Sequence, residues 1–218
     1  AAVTKANLEV EAMTLEPIAA LYILIPESMR RLNVVLVDIG AGTSDIAITD
    51  RGTVVSYGMV PIAGDEITEA ISDHYLLDFP EAERVKREIV QRKVSEIEDI
   101  LGFTTTVSFD ELVNSIGSEI DELSKVISTE IKRLNEKAPR AVMLVGGGSL
   151  TPKITEKIAR ELDLPNNRVA IRGIEAIQQL ETPEDFTGGP EFITPVGIAI
   201  AAKERPVQYK SVIVNGKE

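Results

Sequence analysis

The chain has no cysteine, no tryptophan and a single histidine among its 218 residues, with only five phenylalanines and four tyrosines. Without cysteine there can be no disulfide, no thiolate metal site and no cysteine nucleophile, and the cytoplasm is the default compartment. His74 has no second histidine with which to share a metal. Any chemistry must therefore use oxygen, amine nitrogen or backbone groups. Basic charge is also short, 23 Lys and Arg against 35 Asp and Glu, a formal net charge of -12. That balance argues against sequence-independent binding to nucleic-acid phosphates. The longest apolar run, Ile18 to Ile25, is far too short to span a bilayer. No secretory signal opens the chain. Its start at Ala1 without methionine and its abrupt end at Asn215-Gly216-Lys217-Glu218 raise the expectation of a piece of a longer protein. What remains is an ordinary globular composition, 44% hydrophobic and 27% charged. The length suffices for one large domain or two small ones.

Charge is uneven along the chain. Residues 65–140 hold 18 acidic and 10 basic side chains, while residues 1–64 and 141–218 are close to neutral and more apolar. In the first flank, residues 8–15 alternate weakly, and Pro17 opens a helix through Leu24, as proline does at a first helical position. Val34 to Val37 is a continuous apolar run of the kind found in a buried strand, ending at Asp38. Ser44 to Thr49 alternates, Asp50-Arg51-Gly52 is a turn signal, and Thr53 to Ile62 is a third extended run. Three strands joined by tight turns make an antiparallel meander. From Asp65 the period becomes helical, with Ile67, Ile71 and Tyr75 in register, and a second helix runs from Glu81 past Ile89. A hairpin over residues 94–107 follows. Ser108 and Glu111 then form a capping box that starts one long helix through Leu134, with Leu112, Ile116, Ile120, Leu123, Ile127 and Ile131 on one face. In the last flank, Ala141 to Val145 reads as a buried strand and residues 152–162 as a helix. A helix over 194–204 carries the small residues Gly197, Ala199 and Ala201. Residues 1–64 and 141–218 thus make one α/β core, and 65–140 an inserted helical and hairpin subdomain.

The segment Asp38-Ile39-Gly40-Ala41-Gly42-Thr43-Ser44-Asp45 carries the chemistry. Two glycines allow a tight turn that presents successive N–H groups to one anion, and Thr43 adds a hydroxyl. An aspartate ending a buried strand either faces a cation or caps the turn. Together these suit a magnesium-bound phosphate. On spacing alone the segment is also a capped glycine-rich hairpin. A P-loop needs Lys followed by Ser or Thr after its second glycine, and neither glycine cluster provides it. A Rossmann fingerprint needs a glycine at Asp45 and a helix directly after the loop. The stretch 37–43 also resembles the first S-adenosylmethionine motif of methyltransferases, but there too a helix follows the loop. Here a strand is expected.

These residues resemble the actin-like ATPases, a family that includes sugar kinases, heat-shock chaperone ATPases and the FtsA-like cell-division proteins. The resemblance covers most of the chain but only the second half of the family's ATPase. It implies a ribonuclease-H-like mixed sheet flanked by helices, with an inserted α+β subdomain. Asp38 to Asp45 resembles the second phosphate-binding hairpin, which implies that Gly40, Ala41, Gly42 and Thr43 hold phosphates and that Asp38 holds Mg, usually through water. Leu15-Glu16-Pro17 resembles the connecting segment whose glutamate places metal and attacking water, so Glu16 inherits that role. Ala63-Gly64-Asp65-Glu66 resembles a Gly-Gly-acidic turn near the nucleotide sugar, with Ala63 in place of the first glycine. Residues 82–87 resemble a helix whose Glu83 and Lys86 would contact ribose and adenine; by spacing alone the two make a solvated ion pair. Gly146-Gly147-Gly148-Ser149 resembles the adenosine motif, with Leu150 where the chaperones carry a stacking arginine. Residues 195–202 resemble the second connecting helix.

The resemblance implies ATP and Mg bound between this lobe and a first lobe of the same protein, with in-line attack of water on the γ-phosphate. The form Asp-Ile-Gly-Ala-Gly-Thr-Ser-Asp with Ala-Gly-Asp-Glu-Ile-Thr points to the FtsA-like branch. There the nucleotide cycle serves self-assembly or recruitment of a protein partner. A chaperone-like or kinase-like phosphotransferase is the alternative.

Overall fold

The computed structural model describes residues 2–10, 13–177, 180–183, 186 and 188–204. In chain order the elements are α1 (Ala2–Lys5), α2 (Glu16–Leu24), β1 (Val34–Ile39), β2 (Ser44–Asp50), β3 (Thr53–Val60), α3 (Gly64–Tyr75), α4 (Phe79–Arg92), β4 (Val94–Glu98), β5 (Thr104–Ser108), α5 (Phe109–Ser115), α6 (Gly117–Leu134), β6 (Ala141–Val145), α7 (Ile154–Glu161), β7 (Val169–Ile171) and α8 (Ile193–Glu204).

The run of apolar residues in β1 has no polar face because both faces of that strand are covered. Val35, Val37 and Ile39 pack with Ile46, Ile48, Val142 and Leu144 beneath α3, α4, α6 and α7. Val34 and Leu36 point the other way and pack with Ala47 and Val145 beneath α2 and α8, against Ala20, Leu21 and Ile193. The sheet order is β3-β2-β1-β6-β7. β1 to β3 form the expected antiparallel meander, whereas β6 and β7 run parallel to β1 and to each other. The β2–β3 turn is set by Arg51 (φ 52°) and Gly52 (φ 93°), both left-handed as a two-residue hairpin of right-handed twist requires. Side chains of the 65–140 segment, among them Ile67, Ile120, Ile127 and Ile131, belong to the same buried cluster as Val35 and Val37.

The single long helix expected after Ser108 is two helices. The capping box forms, with Glu111 Oε2 accepting from the Ser108 amide at 2.8 Å. The helix then breaks at Ile116 (φ -107°, ψ 18°), and α6 starts afresh at Gly117. Glycine is about 1 kcal/mol worse than alanine in a helix interior, so the break falls where continuation costs most. The six apolar positions are all fully buried across the break. β7 has no counterpart in the sequence reading, because three residues are too few to show a period. The described part of 8–15 is neither helix nor strand; positions 11 and 12, and the chain end at 215–218, lie outside the described residues.

Candidate functional site

The C-terminal ends of β1 and β6 lie side by side, Asp38 in register with Val145, and each strand runs into a glycine turn. Open α/β sheets place ligands at such strand ends. The first turn closes through the Gly40 amide, which donates to the Thr43 carbonyl at 3.0 Å. The start of α3 then clamps it, the amides of Gly64 and Asp65 donating to the carbonyls of Gly40 and Ala41 at 3.1 and 2.8 Å. Ala41, Gly42 and Thr43 remain exposed at its outer edge. The second turn, Gly146 to Leu150, packs directly behind the first. A Cβ on Gly148 would meet the Ile39 side chain and the Gly40 carbonyl, and one on Gly64 would stand 3.1 Å from that same carbonyl. Three backbones meet there because none carries a side chain.

In front of them lies a cavity of about 550 Å³, within the range of small-ligand sites. Gly40, Ala41, Gly64, Glu83, Lys86, Gly147 and Gly148 all line it, so seven residues singled out in the sequence face one space. Val90, Leu150 and Pro152 add an apolar wall, and Asp65, Arg87 and Glu191 complete its polar rim. Glu83 and Lys86 are only partly solvated and sit in a network. Lys86 Nζ is 2.6 Å from Glu83 Oε2 and donates to the Gly64 carbonyl at 3.0 Å, and Thr68 Oγ1 donates to Glu83 at 2.7 Å. Burial pushes the Glu83 carboxyl up, but hydrogen bonds from Lys86, Thr68 and Arg87 outweigh it and hold the group below its usual range. Ser149 is fully buried and its hydroxyl donates to the Gly146 carbonyl at 2.7 Å, turned inward to hold the loop.

Asp38 shares its face of the sheet with Leu36, toward α2 and α8. Its carboxylate accepts a hydrogen bond from the Thr194 hydroxyl at the start of α8. Burial raises the Asp38 carboxyl above its usual range, the Thr194 bond pulls it partly back, and the charges of Glu16 and Asp45 add to the rise. Glu16, exposed at the first turn of α2, is therefore felt at Asp38. Asp45 lies opposite Asp38 and takes a 2.6 Å bond from the Tyr57 hydroxyl. That bond, then burial and the charges of Asp45 and Glu16, push Tyr57 up to about 12. No group of three or more Asp, Glu or His among the described residues gathers closely enough to hold a metal alone. Such a sparse donor set fits Mg²⁺, which keeps several waters and takes one or two carboxylates plus ligand phosphates. Thr68, Tyr57 and Thr194 were not singled out in the sequence; hydroxyls on separate elements leave no local pattern.

The family described as cell division protein FtsA matches residues 35–197. The chain belongs to the FtsA family. It is 26% identical to cell division protein FtsA of Bacillus subtilis (strain 168) over 96% of the chain and 48% of that protein. It is 29% identical to FtsA of Escherichia coli (strain K12) over 93% of the chain and 51% of that protein. It spans about half the length of these curated relatives. Among solved structures it resembles the PilM-PilN type IV pilus biogenesis complex, with TM-score 0.70, 22% identity, 94% of this chain and 56% of that one. It also resembles MreB 5 of Spiroplasma citri bound to AMPPNP, with TM-score 0.63, 19% identity, 92% of this chain and 61% of that one. At such identities the likeness is one of fold, the actin-like ATPase fold of a mixed sheet flanked by helices. In this FtsA-family chain a strand, β2, follows the first glycine turn antiparallel to β1. The helix a methyltransferase would need there is absent. No helix among the described residues is long and apolar enough to cross a membrane.

Proposed function

We propose that this chain is the second lobe of an FtsA-type actin-like protein, which binds Mg-ATP against a first lobe and couples binding or hydrolysis to self-assembly or partner recruitment in the cytoplasm during cell division. The observation that carries this reading is one cavity lined together by Gly40, Gly64, Glu83, Lys86 and Gly148, residues far apart in the chain. In this reading residues 65–140 are the inserted subdomain, and its α4 supplies one wall of the site.

Each residue has a task set by its surroundings. The exposed amides of the 41–43 turn take phosphate oxygens, as N–H groups of a tight turn do. Asp38, half-buried at the end of β1, and Glu16 at the start of α2 would hold Mg²⁺ through water. Gly146, Gly147 and Gly148 let the backbone approach the adenosine, while Val90, Leu150 and Pro152 cover an apolar ring. Lys86 and Glu83, fixed by Thr68 and Gly64, offer a donor and an acceptor to the sugar and base. Bound Mg-ATP supplies a phosphoryl group whose transfer to water needs mainly positioning and charge neutralisation.

In this reading the first phosphate loop belongs to the other lobe, so the isolated chain should bind ATP weakly and turn it over negligibly. The test is calorimetry with Mg-ATP on the chain and on the full-length protein. Binding by the full-length protein alone is expected; micromolar affinity with steady turnover by the chain itself would overturn the two-lobe reading. A chaperone-like or kinase-like phosphotransferase would instead show brisk turnover in the full-length protein, lost on Asp38→Ala.

A further inference from the structure

Thr194 and Asp38 lie 156 positions apart, yet the Thr194 hydroxyl donates to Asp38 Oδ2. The other oxygen, Oδ1, lies against Gly146, where a Cβ could not fit beside it. One oxygen of the carboxylate is thus covered by backbone and the other is held by a hydroxyl. Thr194 is the second residue of α8, and α8 packs along α2, with Gly197 against the Ala19 carbonyl. The first residue of α2 is Glu16. The two helices that cover one face of the sheet therefore both begin at the Asp38 end of β1.

We propose that Thr194 is a positioning residue for the magnesium–nucleotide site, its hydroxyl fixing the rotation of the Asp38 carboxylate and linking that carboxylate to α8. The inference rests on the nucleotide reading given above. The terminal torsion of an aspartate is broad, so β1 alone leaves the plane of the carboxylate loosely set. Mg²⁺ tolerates little angular error in its shell. Threonine is stiff at χ1, and here its backbone is fixed in the first turn of a helix. A hydroxyl can donate to the carboxylate without neutralising it, so the charge needed by a cation is kept. Hydrogen bonds to charged groups are also the stronger kind.

The experiment compares full-length wild type with Thr194→Val, which keeps the shape and loses the donor, and Thr194→Ser, which keeps the donor. ATP affinity is measured by calorimetry with Mg²⁺ and in EDTA, beside the thermal midpoint of each protein. The expected result is that the gain in affinity brought by Mg²⁺ shrinks about tenfold in Thr194→Val, a factor in the range of one charged hydrogen bond. Affinity in EDTA and the midpoint should stay near wild type, and Thr194→Ser should recover most of the gain. Should the valine variant fail to fold, Thr194→Ala is read in the same way. A full Mg²⁺ gain without the hydroxyl overturns the inference, as does an equal loss with and without Mg²⁺. A wild-type protein whose ATP binding ignores Mg²⁺ overturns the site reading as well as this inference, which separates the two failures.

Discussion

Asp38 and Asp45 stand directly opposite each other across the β1–β2 pair, and each is held by a different hydroxyl, Thr194 for Asp38 and Tyr57 for Asp45. Two like charges at adjacent positions on one face of a sheet are unfavourable unless something else wants them there. The pair, with Glu16 nearby, makes a negative end to the sheet suited to a cation.

Stability should improve when Asp38 is neutralised. Its carboxyl titrates above the usual range, chiefly through burial. The folded protein therefore binds a proton that the unfolded chain has already lost, and stability falls as pH rises through the window above the ordinary carboxylate value. Asp38→Asn removes that burden. Without nucleotide, the variant should melt a few degrees higher than wild type at pH 8, with the gap closing toward pH 4. Its Mg²⁺-dependent ATP affinity should fall at least tenfold. A variant melting below wild type at pH 8 contradicts the argument.

The two neighbouring glycines of the second turn should respond oppositely. Gly146 has φ 80°, and a Cβ there would run into Asp38 Oδ1 and the Ile39 carbonyl. Gly146→Ala should cost about 3 kcal/mol, from left-handed strain of 1–2 kcal/mol plus overlap. Gly147 has nothing within 4 Å of such a Cβ, so Gly147→Ala should stay within about 0.5 kcal/mol of wild type. Because Gly147 lines the cavity, the alanine should still weaken nucleotide binding. Urea unfolding and ATP titration of both variants check this.

Much of the fold is legible in the sequence. The meander is readable because β1 lacks a polar face, β2 alternates and Asp50-Arg51-Gly52 signals a turn, although an arginine does not by itself call for the left-handed backbone that Arg51 adopts. The Gly40 turn is readable from its own residues as a tight turn able to present amides, whereas Gly64 and Gly148 enter the candidate site only through the resemblance to actin-like ATPases. The structure adds that the three backbones approach one another. What stayed hidden depends on which elements meet. The helix break was missed because an unbroken apolar stripe continues past Gly117, and burial does not report backbone continuity. Thr194 was within the expected last helix, but only the packing of α8 on α2 brings its hydroxyl to Asp38.

Glu83 and Lys86 should prove energetically coupled. Their side chains are 25% and 18% exposed, with Nζ 2.6 Å from Oε2. Lys86→Met leaves Glu83 with Thr68 and Arg87 and should cost about 1–2 kcal/mol. Adding Glu83→Gln should cost less than the two single changes together, with a coupling of about 1 kcal/mol. The pH dependence has the opposite sign to that of Asp38. Glu83 is held below its usual range, so its contribution is present above the ordinary glutamate value and is lost as pH falls through the folded value. Glu83→Gln should flatten the acid limb of the stability curve, which melts between pH 3 and 6 would show.

Ser128 lies on the buried face of α6, and its hydroxyl is the one buried side-chain polar atom without a hydrogen-bond partner among the described residues. Ser128→Ala removes that unpaired group and puts a better helix former in its place. The change should stabilise the protein by about 1.5 kcal/mol, since an unmet buried hydroxyl costs about 1 kcal/mol and alanine adds about 0.5 kcal/mol of propensity. A lower urea midpoint would mean that the hydroxyl does find a partner.

Gly197 controls how closely α8 approaches α2. A Cβ there would stand 2.7 Å from the Ala19 carbonyl oxygen and 2.8 Å from its carbon, both backbone atoms that cannot turn aside. Gly197→Ala must therefore move one helix against the other. Overpacking of this kind costs about 1–3 kcal/mol, offset by roughly 1 kcal/mol of helix propensity, so the net loss in stability should be small. The effect on the site should be larger, because Glu16 begins α2 and Thr194 lies in the first turn of α8. A shift between these helices changes how both reach Asp38. In the full-length protein, Gly197→Ala is expected to reduce the Mg²⁺ gain in ATP affinity while the thermal midpoint falls by only a few degrees. An unchanged Mg²⁺ gain would show that the helix pair can spread without disturbing Asp38.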